Sequence, residues 1–287
     1  MSIVTGGIGR RVWLARRMAA LALRGRVRHH DRFGLSYWLW KNTRALATRG
    51  GEPRTDDTGV LEQLKRIYGV LGQSGRARVS VDVGAYIGVI SLAMARFGGL
   101  GNTVHAFEAD HLNYGRLLQN VSGDTGSRVL THHSAAGNQV GSAAFTRNLD
   151  PGTNSLSAVA DASVASAGEF TVPITTLDAF VAEHDIAEIA VLKIDVEGAD
   201  FDVLRGAAGL LSSGKVGAVV VEIPLTPEHR AEMNALLSEH GLSIAYIVRN
   251  TPDLAPATEA TYNESQRAPL NMLAVRLDLA ERLGVGR

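Results

Sequence analysis

Cysteine is absent from the 287 residues, which removes disulfide frameworks, thiolate metal sites and cysteine nucleophiles together. Nine histidines remain as candidate ligands or bases. No run approaches the roughly 18 unbroken apolar residues of a membrane-spanning helix, so a soluble or peripheral chain is expected. The stretch GRRVWLARRMAALAL (9 to 23) is interrupted by Arg16 and Arg17 and is followed by no convincing A-x-A site, so it reads as retained rather than as a twin-arginine leader. Acids are nearly missing from the first 50 positions, which hold 11 of the 29 Lys and Arg and only Asp31 against them. That arm is +10, and the remainder, with 18 bases against 28 acids, is −10. A body of that sign offers little to nucleic acid, and any anionic surface would meet the arm first.

With 45% hydrophobic and 20% charged residues, the chain can bury a substantial core. Two parts are expected: a basic helical N-terminal arm over 1–55 and one domain over 56–287. The division falls near GGEPRTDDTG (50 to 59), which has the composition of a linker. In the arm, Val12, Trp13, Met18 and Leu21 share part of a helical surface among arginines, so 10–24 reads as an amphipathic basic helix. Such a helix serves packing on its own domain, a contact within a homo-oligomer, or peripheral attachment to the inner face of a membrane from the cytoplasm. The aromatic group Phe33, Tyr37, Trp38 and Trp40 reads as packing.

From residue 56 onward, short β-rich runs alternate with helical patterns. Strands are expected over 78–83, 103–108, 128–135, 189–196, 217–223, 242–248 and 269–277, with a further short run at FTVPI. Helices are expected over 60–71, 88–97, 111–121, TLDAFVAEH, 200–213 and 227–240, and no internal repeat is visible. This alternation predicts an α/β fold with a mostly parallel sheet covered by helices on both faces.

In an open sheet of this kind, ligands bind beyond the carboxyl ends of the strands. VDVGAYIG (81 to 88) stands at such an end, where Gly84 and Gly88 would let a ligand approach the backbone and Asp82 would meet a cationic group. Alone, a glycine pair in a strand-to-helix turn is more often a packing device than a cofactor loop. Glu108 in HAFEAD adds the second feature, 24 residues after Gly84. That is close to the spacing of about 20 at which an acid bonds ribose hydroxyls. Its alternative is a solvated carboxylate at a strand end. Val83 occupies the place of the first glycine in the dinucleotide pattern G-x-G-x-x-G, and Asp82 would repel a pyrophosphate. The charge pattern therefore favours S-adenosylmethionine, whose ammonium and sulfonium it would attract, over a nicotinamide dinucleotide.

The run LKIDVEGADFDVLRGA (192 to 207) is the most specific feature. With VDVGAYIG, HAFEAD, LLQNV, NSL and ITTLDAF in the same order, it resembles the FkbM family of methyltransferases over about 78–223. The resemblance implies a Rossmann-like class I methyltransferase fold with seven strands, the last antiparallel. It further implies methyl transfer from S-adenosylmethionine to a hydroxyl of a sugar, glycolipid or polyketide-type acceptor. Carried over by motif, Asp82, Gly84 and Gly88 line the cofactor, with Tyr86 either closing over its methionine portion or packing, Glu108 holds its ribose, and Ser134, Ala136 and Asn138 lie near the adenine. Asp195 and Glu197 then face the reacting centre. The chain departs from the family at Tyr86, usually Asn, and at Asn138, commonly Asp.

Read from the residues, Asp195 ends an apolar strand and Glu197 stands in the following turn. Methyl transfer needs the acceptor oxygen aligned and a base for its proton, and either carboxylate suits that task. Asp195 is the expected base, with Glu197 orienting it or the acceptor. Helix capping is the competing role for both. A Mg²⁺ clamp through Asp195 and Glu222 is a further alternative, since both end neighbouring strands. His132 and His133 read as packing or surface groups. The stretch 148–168 and the loop 250–269 are long connections expected to govern acceptor choice. Two other functions stay in view: a nicotinamide-dependent oxidoreductase, and a non-catalytic module binding a membrane or partner through the arm.

Overall fold

The computed structural model describes residues 26–40, 58–72, 78–123, 128–148, 155–156, 166–248, 251–264 and 271–286. The helix expected over 10–24 and most of the linker near 50–59 lie outside the described residues. The part of the arm that is described is not helical. β1 (Arg26–His30) and β2 (Ser36–Trp40) form an antiparallel hairpin. Alternation explains it: Leu35, Tyr37 and Leu39 point one way along the strand and are buried in the main core. Phe33 meets Phe97 edge to face and Tyr37 is buried, so packing is the role of both.

The chain then runs through α1 (Thr58–Leu71), β3 (Arg78–Val83), α2 (Val89–Gly98), β4 (Asn102–Phe107), α3 (His111–Val121) and β5 (Val129–His132). An inserted sheet follows, formed by β6 (Ala135–Ala136), β7 (Gly141–Asn148), β8 (Ser155–Leu156) and β9 (Ser166–Thr175) in the order β6-β9-β7-β8. After α4 (Leu177–Glu183) come β10 (Ile189–Ile194), α5 (Asp200–Arg205), α6 (Ala208–Ser212), β11 (Val216–Glu222) and α7 (Pro227–Glu239). β12 (Leu242–Ile247), β13 (Leu254–Pro256), α8 (Glu259–Glu264), β14 (Asn271–Arg276) and α9 (Leu277–Leu283) complete the described elements.

The main sheet has the order β13-β12-β14-β11-β10-β3-β4-β5. Neighbours from β5 to β11 are parallel, and β14 runs antiparallel to both β11 and β12, as expected of the last strand. The sheet has eight strands rather than the seven expected, because β13 from the 250–269 connection pairs with β12. Helices cover both faces, and two aliphatic cores result. Leu64, Met94, Val191 and Val220 lie in one, and Leu192, Leu204, Val219 and Met233 in the other.

The helix expected over 200–213 is two short ones. Gly206 lies at the break, where a Cβ would overlap the Gly137 carbonyl oxygen. Asp178 restarts the chain as α6 by accepting the amides of Gly209 and Leu210 at 2.9 and 2.7 Å. His132 stacks on Phe107 and shares a 3.0 Å hydrogen bond with His105, while exposed His133 stacks on Tyr114. Burial pushes the imidazoles of His105 and His132 down to about 4, which leaves both neutral in the core at neutral pH.

Candidate active site

The chain steps outward through β3, β4 and β5, then returns to lay β10 on the other side of β3. The crevice between β3 and β10 is thus the topological switch point. Asp195 donates its backbone N–H to the Val83 carbonyl at 3.1 Å and continues the ladder past the strand ends. Gly84, with φ +77°, abuts the Asp195 carbonyl so closely that a Cβ would overlap it. Gly88, with φ +86°, is covered by Leu117. Both glycines are therefore required by the turn and its protein neighbours, before any ligand is considered.

Glu108 fixes the loop from the side. Its carboxylate accepts the Tyr86 N–H and the Asp110 N–H, both at 2.8 Å. The first of these bonds helps hold Tyr86 at φ 53°, a conformation that costs a side-chain-bearing residue about 1 kcal/mol or more. The half-buried Tyr86 ring packs against the core. Asn120, in the LLQNV run, braces the loop from beneath. It donates to the Ile87 carbonyl at 2.7 Å and accepts the Trp38 N–H at 2.6 Å, so the hairpin reaches the loop through one amide.

Asp82 is fully buried below the loop. Its Oδ2 accepts the Ser91 hydroxyl at 2.5 Å, and its Oδ1 is buried without a hydrogen-bond partner. An orphaned carboxylate oxygen of this kind suits a cationic or hydrogen-bond-donating ligand group that completes it. Burial raises the proton affinity of Asp82, and the nearby Lys193 ammonium opposes that rise.

Lys193 was not singled out from the sequence. It is only 3% exposed, lies in register with Asp82, and gives its ammonium to Asp195 Oδ2 at 2.6 Å. A lysine inside the otherwise apolar run IAVLKI was the signal that could have found it. Asp195 remains 36% exposed above this pair. Glu197 follows at φ 51° and Gly198 at φ 98°, a left-handed turn that carries the chain into α5. Asp200 closes this turn by accepting the N–H groups of Val196 and Gly198 at 3.4 and 3.3 Å. Asp200, rather than Asp195 or Glu197, therefore makes these turn contacts.

Glu222 ends β11, next to β10. Burial and then the charges of Asp195, Glu197 and Asp200 push its carboxyl up to about 8. Asp200 is pushed up to about 6 by burial and by Asp195. No group of three His, Asp or Glu among the described residues is arranged to hold a metal ion. With Oδ2 of Asp195 held by an ammonium, the expected alternative of a Mg²⁺ clamp on Asp195 and Glu222 gains no support.

Ser134 is half-buried and Ala136 is buried in the second core, so Ala136 offers this edge only its main chain. Asn138 is exposed and donates to Asp202 Oδ1 at 3.0 Å, which ties the segment to α5. Arg147 of β7 binds Asp110 Oδ2 at 2.5 Å and contacts His111, anchoring the inserted sheet one turn from Glu108. On the far side, buried Arg230 donates to both Glu259 oxygens and to the Pro224 and Leu225 carbonyls, with its guanidinium 3.7 Å from the Tyr262 ring centroid. This clamp joins the segment after Glu222 to α8, so 254–264 is built structure rather than open loop. Most of 148–168 lies outside the described residues.

Residues 82–244, more than half of the chain, match the family described as the methyltransferase FkbM domain. The chain belongs to the FkbM methyltransferase family. It is an S-adenosylmethionine-dependent methyltransferase, and the nicotinamide-dependent alternative falls with that assignment. Similar solved structures include a SAM-dependent methyltransferase from Agrobacterium tumefaciens, at 11% identity over 87% of this chain and 69% of that one, TM-score 0.48. The human methyltransferase 10 domain containing protein is 10% identical over 93% and 97% of the two chains, with a TM-score of 0.45. Precorrin-6y C5,15-methyltransferase of Geobacter metallireducens is 11% identical over 76% and 87%, with a TM-score of 0.41. No curated protein matches the sequence. Among the described residues, no helix of this FkbM methyltransferase is long and apolar enough to cross a membrane.

Glu108 carries a testable pH dependence. Burial lifts its carboxyl from 4.5 to about 8, so the folded protein keeps a proton that the unfolded chain has lost. Stability without cofactor should therefore fall as pH rises from about 4.5 to about 8. Glu108→Gln is expected to flatten that fall in thermal unfolding, whatever its cost at a single pH, and to weaken S-adenosylmethionine binding about tenfold or more. Parallel pH curves for the two proteins would contradict the assignment.

Proposed function

We propose that this FkbM enzyme methylates oxygen, transferring a methyl group to a hydroxyl of a sugar, glycolipid or polyketide-type acceptor. The observation that carries the reading is Asp195: a part-exposed carboxylate pinned by Lys193, one strand across from Gly84 of the cofactor loop. In this reading Asp82, Gly84, Tyr86 and Gly88 surround the methionine portion of the cofactor, and Glu108 receives its ribose. Ser134, the main chain at Ala136, and Asn138 border the adenine.

Bound S-adenosylmethionine supplies a methyl group on a positively charged sulfur. The turn at Gly84 lies against Asp195, and the buried Asp82 oxygen left without a hydrogen-bond partner would meet positive charge from the bound cofactor. Asp195 and Glu197 face the acceptor side, where a carboxylate orients a hydroxyl and takes its proton. The inserted sheet, anchored at Asp110, and α8, held by Arg230, flank the opening and select the acceptor. The basic arm would bring an anionic, lipid-linked acceptor toward the site.

The test is incubation with methyl-labelled S-adenosylmethionine and fractionated cell extract. Label is expected in an alkali-stable methyl ether on a sugar, glycolipid or polyketide. Label recovered as a methylamine or an alkali-labile ester would contradict oxygen as the acceptor atom.

A further inference from the structure

In the parallel ladder between β10 and β11, Ile194 pairs with Val221, so the next residues, Asp195 and Glu222, stand side by side at the sheet's rim. Ile194 also pairs with Val83, which sets Gly84 on the other side of Asp195. One row down, Lys193 lies beside Asp82. The rim therefore presents Gly84, Asp195 and Glu222 in order, with a buried cation beneath the middle member.

The two acids on this rim are not equivalent. Asp195 gives one oxygen to Lys193 at 2.6 Å. Glu222 is part-buried, and its carboxylate makes no hydrogen bond or ion pair among the described residues. We propose that Glu222 accepts the proton of the acceptor hydroxyl, and that Lys193 holds Asp195 as the residue that positions that hydroxyl. This assignment rests on the oxygen-methylation reading above and divides its two tasks between neighbouring strands.

The charges around Glu222 make it a base that responds to the cofactor. Burial, then Asp195, Glu197 and Asp200, raise its proton affinity, and Lys193 lowers it. Asn271 of β14, opposite Glu222 in the antiparallel ladder, carries no charge. With its carboxyl raised to about 8, Glu222 holds a proton at neutral pH while the site is empty. A sulfonium bound across the carboxyl ends of β3 and β10 favours the ionised form, so cofactor binding expels that proton and leaves a carboxylate ready. Glu222 then takes the hydroxyl proton as the acceptor oxygen bonds to the methyl carbon and the carbon–sulfur electron pair passes to sulfur. The carboxylate and the sulfonium become a carboxylic acid and a neutral thioether, so charge and atoms balance.

Isothermal titration of the full chain tests this without an acceptor, using S-adenosylmethionine and S-adenosylhomocysteine in two buffers of unlike ionisation enthalpy. At pH 7.5 the cationic ligand should release up to roughly three-quarters of a proton more than the neutral one, the fraction held at a pKa of about 8. Glu222→Gln should abolish the difference, Asp195→Asn should retain it, and at pH 9.5 the wild type should lose it. The pH 9.5 arm keeps the test decisive should either variant fail to fold. A difference that survives in Glu222→Gln or at pH 9.5, or none in the wild type at pH 7.5, would overturn the proposal. Binding of neither ligand would overturn the methyltransferase reading beneath it, whereas label in a methylamine would remove only the hydroxyl acceptor.

Discussion

Replacing Gly84 by alanine should cost more than about 4 kcal/mol of stability, or prevent folding outright. Two causes add. The residue has φ +77°, where a Cβ is strained, and the added methyl would overlap the Asp195 carbonyl oxygen. That oxygen belongs to backbone at the end of a central strand and cannot swing aside as a side chain does. The ends of β3 and β10 would have to separate, disrupting the crevice at the topological switch point. Gly88→Ala is the internal control, because its φ of +86° carries similar strain but its added Cβ would meet Leu117 Cδ1, the end of a flexible side chain. It should cost about 1–3 kcal/mol. Thermal unfolding of the two variants should rank Gly84→Ala well below Gly88→Ala, and the reverse order would contradict the crevice geometry.

Lys193→Met should cost about 3 kcal/mol, the effect of removing one partner from a buried ion pair. Lys193 is 3% exposed and has Asp195 at 2.6 Å, and its charge is the largest influence opposing the raised proton affinity of Asp82. Without it, Asp82 is left in the core with Ser91, through its hydroxyl and its backbone. The placement at the lower end of the range for such pairs reflects Asp195, which is 36% exposed and regains water. Adding Asp82→Asn to Lys193→Met should recover part of the loss, since the second change removes the carboxylate that needed the cation. Losses that simply add in chemical unfolding would show that Lys193 and Asp82 do not share a charge.

The frame of this architecture was legible because its signals are local. RVSVDV and HLNYGRLLQNV bound β3 and α3 by periodicity, and the glycine turn and Glu108 lie at the carboxyl ends of β3 and β4, where the pattern put them. What escaped depends on contacts between distant residues. The break at Gly206 follows from the Gly137 carbonyl, nearly 70 positions earlier in the chain. GSAAFTRN in β7 has small and polar residues with weak alternation, so its pairing with β9 left little trace in the pattern. β13 is three residues long and ends in proline, too short for any period to register. The arm expected to be helical contains a hairpin over 26–40, where Leu35, Tyr37 and Leu39 alternate and are buried, whereas the helical pattern lies over 10–24.

At the site, the acids were visible as strand ends, but their hydrogen-bond partners were not. Asp200 occupies the turn contacts that capping would have assigned to Asp195 and Glu197. Lys193 ties up one oxygen of Asp195, and only the register of β10 with β3 and β11 reveals that Asp82 and Glu222 share its surroundings. Sequence order separates Asp82 from Lys193 by more than a hundred residues, and sheet pairing makes them neighbours.

The most direct measurement is a crystal structure grown with S-adenosylhomocysteine. Ligand density should cross the carboxyl ends of β3 and β4, with the ribose hydroxyls on Glu108 and the sulfur beside Gly84, facing Asp195 and Glu222. Density at any other edge of the sheet, or a cleft at Gly84 that stays closed at saturating ligand, would contradict the account.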